Sequence, residues 1–395
     1  MSKKTFGFVL GVLLVVLLLV AGCQPAEEAK PAAPAKPKEP YKIGAVLSVT
    51  GINAPLGDPE KKTLEMEVEK INKKGGIDGH KIELVVEDDA SLPANAIAAV
   101  NKLIQQDKVI AVIGSSGSGP TKAIRPIVSA AGIPLLMLAA ANELTEGDIK
   151  WVFRTPQKDA LAVAKALGYI QKNLKAKKIA ILYDSNPFGT SGANEIIKEA
   201  PDLGLTVVAT EKYESTATDV TTQLTNIKAA NPDVVVVWGT NPVPAIAAKT
   251  MKQLGMTQPY VGSHGIANKK FIELGGDAVE EVIFPAGKIL IPASMPKDSS
   301  QRKVIDGFIK DYKAKYGADP NTFAGHAWDG IHLLEKALAK SGADKNKLRS
   351  ELEKIKNFAG TGGIFNYSTT NHDGLTTSDM IVVEIKGGKW TLKVK

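Results

Sequence analysis

The chain runs to 395 residues, 44% hydrophobic and 23% charged, with a formal net charge of +7. That is an ordinary globular composition, long enough for two or three domains with sizeable cores. Many lysines come as pairs interleaved with acids, such as Lys61-Lys62 and Lys177-Lys178, which read as solvated helix faces. There is no stripe of arginines and aromatics, which excludes a nucleic-acid binder, and a single cysteine leaves no disulfide to staple the fold.

Lys3-Lys4 precedes an apolar run over residues 6–20, roughly 15 residues, typical of a signal-peptide core and short for a membrane span. The run ends in Leu19-Val20-Ala21-Gly22-Cys23, small residues before the one cysteine, which resembles a bacterial lipobox. Residues 1–22 are therefore expected to be a lipoprotein signal peptide. Cys23 is the expected lipidation site, with acyl chains holding the protein to a membrane. Residues 23–40, rich in Ala, Pro, Lys and Glu, have too little apolar surface to bury and read as a disordered tether.

From residue 41 strands and helices alternate. Strand 42–49 leads through a turn-rich loop, 50–57, into helix 58–74, which Gly75-Gly76 stops. Strand 82–87 ends in Asp88-Asp89, and Ser91 is the expected cap of helix 93–106. Strand 109–113, a Gly/Ser loop, helix 121–131 and strand 134–138 follow. This alternation predicts right-handed βαβ units on a parallel sheet. After a short strand at 151–155 the rhythm restarts. Strands 178–183, 205–213, 234–238 and 260–262 enclose helices 191–200, 219–230 and 244–254. An α/β protein of two doubly wound parallel-sheet lobes is expected, joined near 154–159. Residues 282–291 look extended and lead to helices 302–316, 322–339 and 345–355. The tail, 363–367, 379–385 and 390–394, alternates apolar and polar residues, with Gly387-Gly388 as a hairpin turn.

The stretch 109–123 carries the most functional information. Gly114, Gly117 and Gly119 let backbone approach a ligand closely, and Ser115, Ser116 and Ser118 add hydroxyls. A strand-to-helix junction of an open sheet faces a crevice, and the helix N-terminus favours an anion. A plain structural turn is the other reading. No Gly-Lys-Ser/Thr follows, and no Gly-x-Ser-x-Gly spans the loop, so it is neither a Walker loop nor a nucleophile elbow. The histidines, at 80, 264, 326, 332 and 372, show no metal-ligand spacing, and no nucleophile and base pair up. No catalysis, metal or cofactor is therefore expected. Asp88-Asp89 reads as a strand-end turn that caps the next helix.

In order, Tyr41-Lys42-Ile43-Gly44, Thr50-Gly51 with Asn53-Ala54 and Gly57, Ile71-Asn72 with Gly75-Gly76-Ile77-Asp78-Gly79, the stretch 84–89 and Phe153-Arg154-Thr155 occur along the chain. Together they resemble the substrate-binding proteins of branched-chain amino acid ABC transporters, with the type I periplasmic binding protein fold. The similarity runs from about residue 41 to the C-terminus. It implies a multi-crossover hinge that closes over ligand. Lobe 1 would hold 41–157 plus about 286–360, and lobe 2 would hold 158–285 plus about 361–395.

The resemblance also implies a site. The ligand carboxylate would lie on Ser116, Gly117 and Ser118, and on Ala139, Ala140 and Ala141 after the next strand. Amino-acid binders typically have threonine in place of Ala141, so one carboxylate donor is missing; the Ala139 carbonyl is still on offer. Phe188 would cover the ligand side chain, Thr240 would add a contact, and Leu56 would replace a tyrosine as an apolar floor. Trp238 is either a contact or core. Where amino-acid binders usually carry a glutamate for the ligand ammonium, this chain has His264. Breaking a buried ion pair costs on the order of 3–5 kcal/mol, whereas histidine donates and, if protonated, adds positive charge. Asp184 and Asn241 are the residues able to replace that glutamate. The expectation is a monomeric, membrane-anchored, extracytoplasmic lipoprotein that delivers a small carboxylate-bearing ligand to an ABC permease. That ligand is an aliphatic or aromatic acid, or an amino acid. The alternatives are a true Leu/Ile/Val-binding protein and a ligand sensor for a signalling receptor.

Overall fold

The computed structural model describes residues 38–394. The expected signal peptide, Cys23 and most of the expected tether lie outside the described residues.

Strand β1 (Tyr41–Leu47) is buried along nearly its whole length, as a parallel strand covered on both faces should be. Helix α1 (Ala54–Lys73), β2 (Ile82–Asp88), α2 (Pro93–Gln105), β3 (Ala111–Gly114), α3 (Ser118–Ala130), β4 (Leu135–Met137) and β5 (Val152–Arg154) follow. The five strands form one sheet in the order β2-β1-β3-β4-β5, and every pairing is parallel.

The chain then enters a second unit of the same design. It contains α4 (Asp159–Tyr169), β6 (Lys178–Asp184), α5 (Pro187–Glu199), β7 (Thr206–Tyr213), α6 (Thr221–Ala229), β8 (Val234–Trp238), α7 (Val243–Gln253), β9 (Tyr260–Gly262), α8 (Lys269–Gly275) and β10 (Ile283–Gly287). Its parallel strands run β7-β6-β8-β9-β10, so in both sheets the first strand lies between the second and third. Each sheet therefore reverses its winding beside its first strand, and loops at the strand C-termini diverge there to leave a crevice.

The remaining chain is α9 (Ser300–Tyr316), α10 (Thr322–Ser341), α11 (Lys345–Glu353), the short antiparallel pair β11 (Phe358–Ala359) and β12 (Ile364–Phe365), then β13 (Met380–Lys386) and β14 (Lys389–Val394). The last two extend the second sheet antiparallel, through a turn in which Gly387 and Gly388 both have positive φ, 58° and 66°.

The chain passes between the lobes at 155–158, again after β10, and finally at 376–379, just before β13. The last passage corrects the expected boundary near 361. Phe365, Tyr367 and Leu375 pack into the first core beside Ile43, Leu64 and Leu334, because burying those rings outweighs the short route to β13. Extended structure expected over 282–291 stops at Gly287, where a tight helical turn begins. Helix α4 was not anticipated; Ala162, Val163, Ala166 and Leu167 form its apolar face on the second sheet.

Candidate functional site

Three helices begin earlier than their apolar periodicity suggests: α1 at Ala54, α3 at Ser118 and α5 at Pro187. Each has a proline in its first turn, where the missing N–H has no intrahelical acceptor in any case. These early starts bring helix N-termini to a cavity of about 150 Å³ between the two sheets. The volume suits one six-membered ring or a branched aliphatic chain, since an apolar protein cavity of about 150 Å³ holds benzene.

The lining is built almost wholly from loops that follow strands. Asn53 and Leu56 come after β1, the 116–120 turn after β3, and Ala139 and Ala140 after β4. From the other lobe come Asn186 and Phe188 after β6, Thr240 after β8 and His264 after β9. The lobes meet around it. Thr240 Oγ1 donates to Asn53 Oδ1 (3.3 Å), the Asn142 N–H to Ser191 Oγ (2.9 Å) and Asn142 Nδ2 to Glu195 Oε2 (2.9 Å). Phe323 and His326, from the first turns of α10, also line the cavity; sequence reasoning did not place them there, nor Asn53, Leu138, Asn186 or Ser215. Nothing in the local pattern of Phe323 and His326 marks them; the chain's return to the first lobe brings them in.

One end of the cavity is suited to an anion. Gly117 is the N-cap of α3 and supplies no side-chain cap, so the first-turn N–H groups of Ser118 and Gly119 have no intrahelical acceptor. Ser118 Oγ accepts from the Ala141 N–H at 3.3 Å and keeps its own proton to donate. Helix α5 also points at the cavity, but Asn186 caps it by accepting from the Gly189 N–H at 2.9 Å. Ser116 lines the wall with its hydroxyl engaged inward: it accepts from the Ser48 N–H at 3.0 Å and donates to Glu60. Burial pushes the Glu60 carboxyl well above the carboxylate range; the Ser116 bond opposes this and nearby Asp89 adds to it.

Four expectations need correction. Ala141 lies behind the wall and not in the cavity lining. The Ala139 carbonyl is not free, because the buried guanidinium of Arg154 donates to it at 2.6 Å and to the Ala141 carbonyl at 2.9 Å. Arg154 is itself held by Asp373 at 2.8 Å. Burial opposes the Asp373 charge, but Arg154 and Lys158 outweigh it and keep the carboxyl below its usual range. Ser91 does not cap α2; its hydroxyl donates to the Thr50 carbonyl and accepts from the Asn53 N–H. Asp88 and Asp89 likewise bind neighbouring loops, at the Val49, Thr50 and Ala90 N–H groups and at Ser91 and Ser115.

His264 sits in a short turn held by Ser263, which accepts from the Gly265 N–H and donates to the Gly239 carbonyl. Its ring meets Phe188 and Trp238 edge-on, with centroids 5.4 and 5.9 Å apart. Burial pushes the imidazole down to about 4; the Gln157 main chain opposes this and Arg154 reinforces it. That shift favours the uncharged ring at neutral pH over the expected positively charged one. Trp238 is core: it is fully buried and donates to Asp159 Oδ1 at 3.1 Å. Asp184 accepts from Ser215 Oγ at 2.6 Å, and Asn241 donates to Asn268 at 3.1 Å; neither lines the cavity. His80, His332 and His372 bind the Glu39 carbonyl, Glu67 with Glu335, and the Val152 carbonyl. Among the described residues no cluster of three His, Cys, Asp or Glu is placed to hold a metal.

A family model described as periplasmic binding protein matches residues 40–389. The chain belongs to the periplasmic binding protein family. It is 29% identical over 313 residues to the leucine-, isoleucine-, valine-, threonine- and alanine-binding protein of Pseudomonas aeruginosa, covering 79% of this chain and 81% of that protein. An extracellular ligand-binding receptor from Rhodopseudomonas palustris HaA2 superposes with a TM-score of 0.85 at 30% identity, over 90% of this chain and 100% of that one. The branched-chain amino acid transporter substrate binding protein LivJ from Streptococcus pneumoniae, in complex with isoleucine, gives 0.80 at 27% identity, over 90% and 99% of the two chains. The protein is thus a solute-binding protein of the branched-chain amino acid transporter type, with the type I periplasmic binding protein fold. Members of this family bind small molecules outside the cytoplasm and work with ABC transporters. They are generally not enzymes. No described helix is long and apolar enough to cross a membrane.

Proposed function

We propose that this protein captures a small carboxylic acid lacking an ammonium group and presents it to an ABC permease. It would do so as a monomer tethered through lipid on Cys23. One observation carries the ligand assignment: among the described residues, the cavity lining contains no Asp or Glu side chain. An ammonium closed into it would have no anion, a penalty of about 3–5 kcal/mol by the usual figure for a broken buried pair. A carboxylate, by contrast, has the uncapped α3 N-terminus and the Ser118 hydroxyl, both donors to a negative group. Leu56, Leu138, Phe188 and Phe323 offer the remainder of the ligand an apolar surface. Closure of the lobes would exclude water and strengthen each of those polar contacts.

Calorimetry with leucine and isoleucine against 4-methylpentanoate, phenylacetate and benzoate tests this. The acids without an ammonium group are expected to bind at least tenfold tighter than the amino acids. Leucine or isoleucine as the tightest ligand would restore the reading as a branched-chain amino acid binder, which the similarity to LivJ favours.

A further inference from the structure

The cavity has a second polar feature besides the α3 N-terminus. His264, after β9, and His326, in α10, line it from opposite lobes and are only 7% and 3% exposed. Among the described residues neither ring nitrogen of His326 has a hydrogen-bond partner, and His264 makes no well-formed hydrogen bond, the Gln157 main chain being the one group close enough to act on its ring as an acceptor. Buried polar atoms without partners are rare in native proteins and call for an explanation. Here the rings are also fixed in orientation: Phe188 and Trp238 hold His264 edge-on, and Phe323 meets His326 edge-on at 5.7 Å. The charged or titratable groups acting on them are Arg154 on His264 and His264 on His326, with the Gln157 main chain beside His264; no carboxylate is among them.

A neutral imidazole presents one N–H donor and one acceptor nitrogen. Two such rings across one cavity are matched by a group that accepts from one and donates to the other. A hydroxyl does both. A keto oxygen only accepts, a methyl does neither, and an ammonium only donates while adding a charge. From this we infer that the natural ligand is a hydroxy acid, its carboxylate at Ser118 and its hydroxyl bridging His264 and His326. The inference rests on the reading of the cavity as a carboxylic-acid site.

Matched ligands on one skeleton separate the two claims. Calorimetry would compare 4-methylpentanoate with its 2-hydroxy and 2-oxo forms and leucine, and phenylacetate with mandelate. It would also compare benzoate with 3- and 4-hydroxybenzoate. In at least one skeleton the hydroxyl form is expected to bind tenfold tighter or more than both its parent and any oxo form. His264→Phe and His326→Phe are each expected to bring that ratio close to one. Imidazole nitrogen NMR of the unsubstituted protein is expected to shift at both rings with the preferred hydroxy acid and much less with its parent. Parent acids that bind as tightly as their hydroxyl forms in every skeleton overturn this inference alone, as does an unchanged ratio in both variants. Leucine as the tightest ligand overturns the underlying reading as well.

Discussion

His264 and His326 are held at about 4 and about 3 by burial, below the ordinary value near 6.5. The unfolded chain therefore takes up protons that the native state refuses. The rings' contribution to stability is complete above about pH 6.5 and is lost as the pH falls from there towards 4. Asp159 and Asp329, both pushed up to about 7 by burial, act in the opposite sense, but they are common to the native chain and a single-site variant. Urea unfolding of the protein and of His264→Leu at pH 7.5 and 4.5 should show the gap between them shift by about 2 kcal/mol in the variant's favour at the lower pH. Ser118→Ala addresses the ligand instead. It removes a donor to a charged group and should weaken acid binding roughly 10- to 100-fold by calorimetry. The melting temperature of the free protein should barely move, because that hydroxyl holds only the Ala141 N–H at 3.3 Å. Ser118 and Thr240 were placed by following strands, where ligand loops gather, and Phe188 and His264 by the family resemblance; all four line the cavity. His326 was not placed there, because a histidine inside a helix carries no local mark of facing a cleft.

At the scale of elements, the helices around the cavity depend on glycine and proline in opposite ways. Pro55, Pro120 and Pro187 look like breakers in a linear reading, yet each sits in a first helical turn that it is suited to start. Gly192 of α5 is a matter of space. A Cβ there would lie 2.0 Å from Trp238 Nε1 on β8, and the indole is fully buried. Gly192→Ala should destabilise the protein by about 1–3 kcal/mol in urea unfolding, the range for overpacking a tight core. Gly168, in α4, has nothing within 4 Å of the same position. Gly168→Ala should stabilise by about 0.5–1 kcal/mol, by gain of helix propensity.

For the whole molecule, the proposed carboxylate site depends on two lobes brought together by three passages of chain, and its far wall on loops about 70 to 150 residues further along the chain. The anchoring proposal also belongs here. Wild-type cells fed labelled palmitate should label the protein and leave it in the detergent phase, whereas Cys23→Ser should lose the label and become soluble. A labelled Cys23→Ser protein would rule out that cysteine as the anchor.

The α/β class, the repeated βαβ winding and the glycine-serine corner were readable without coordinates, because strand alternation, helical periodicity and turn residues are local consequences of backbone sterics and apolar patterning. Only the tertiary structure decided the rest. It put Phe365 and Tyr367 in the first core, turned Asp184 and Asn241 away from the cavity, consumed the Ala139 carbonyl on Arg154 and set His326 opposite His264. These are contacts between residues far apart in the chain. They are governed by which apolar surfaces bury together and which partner each buried polar group meets in the folded state, and no local pattern encodes that competition.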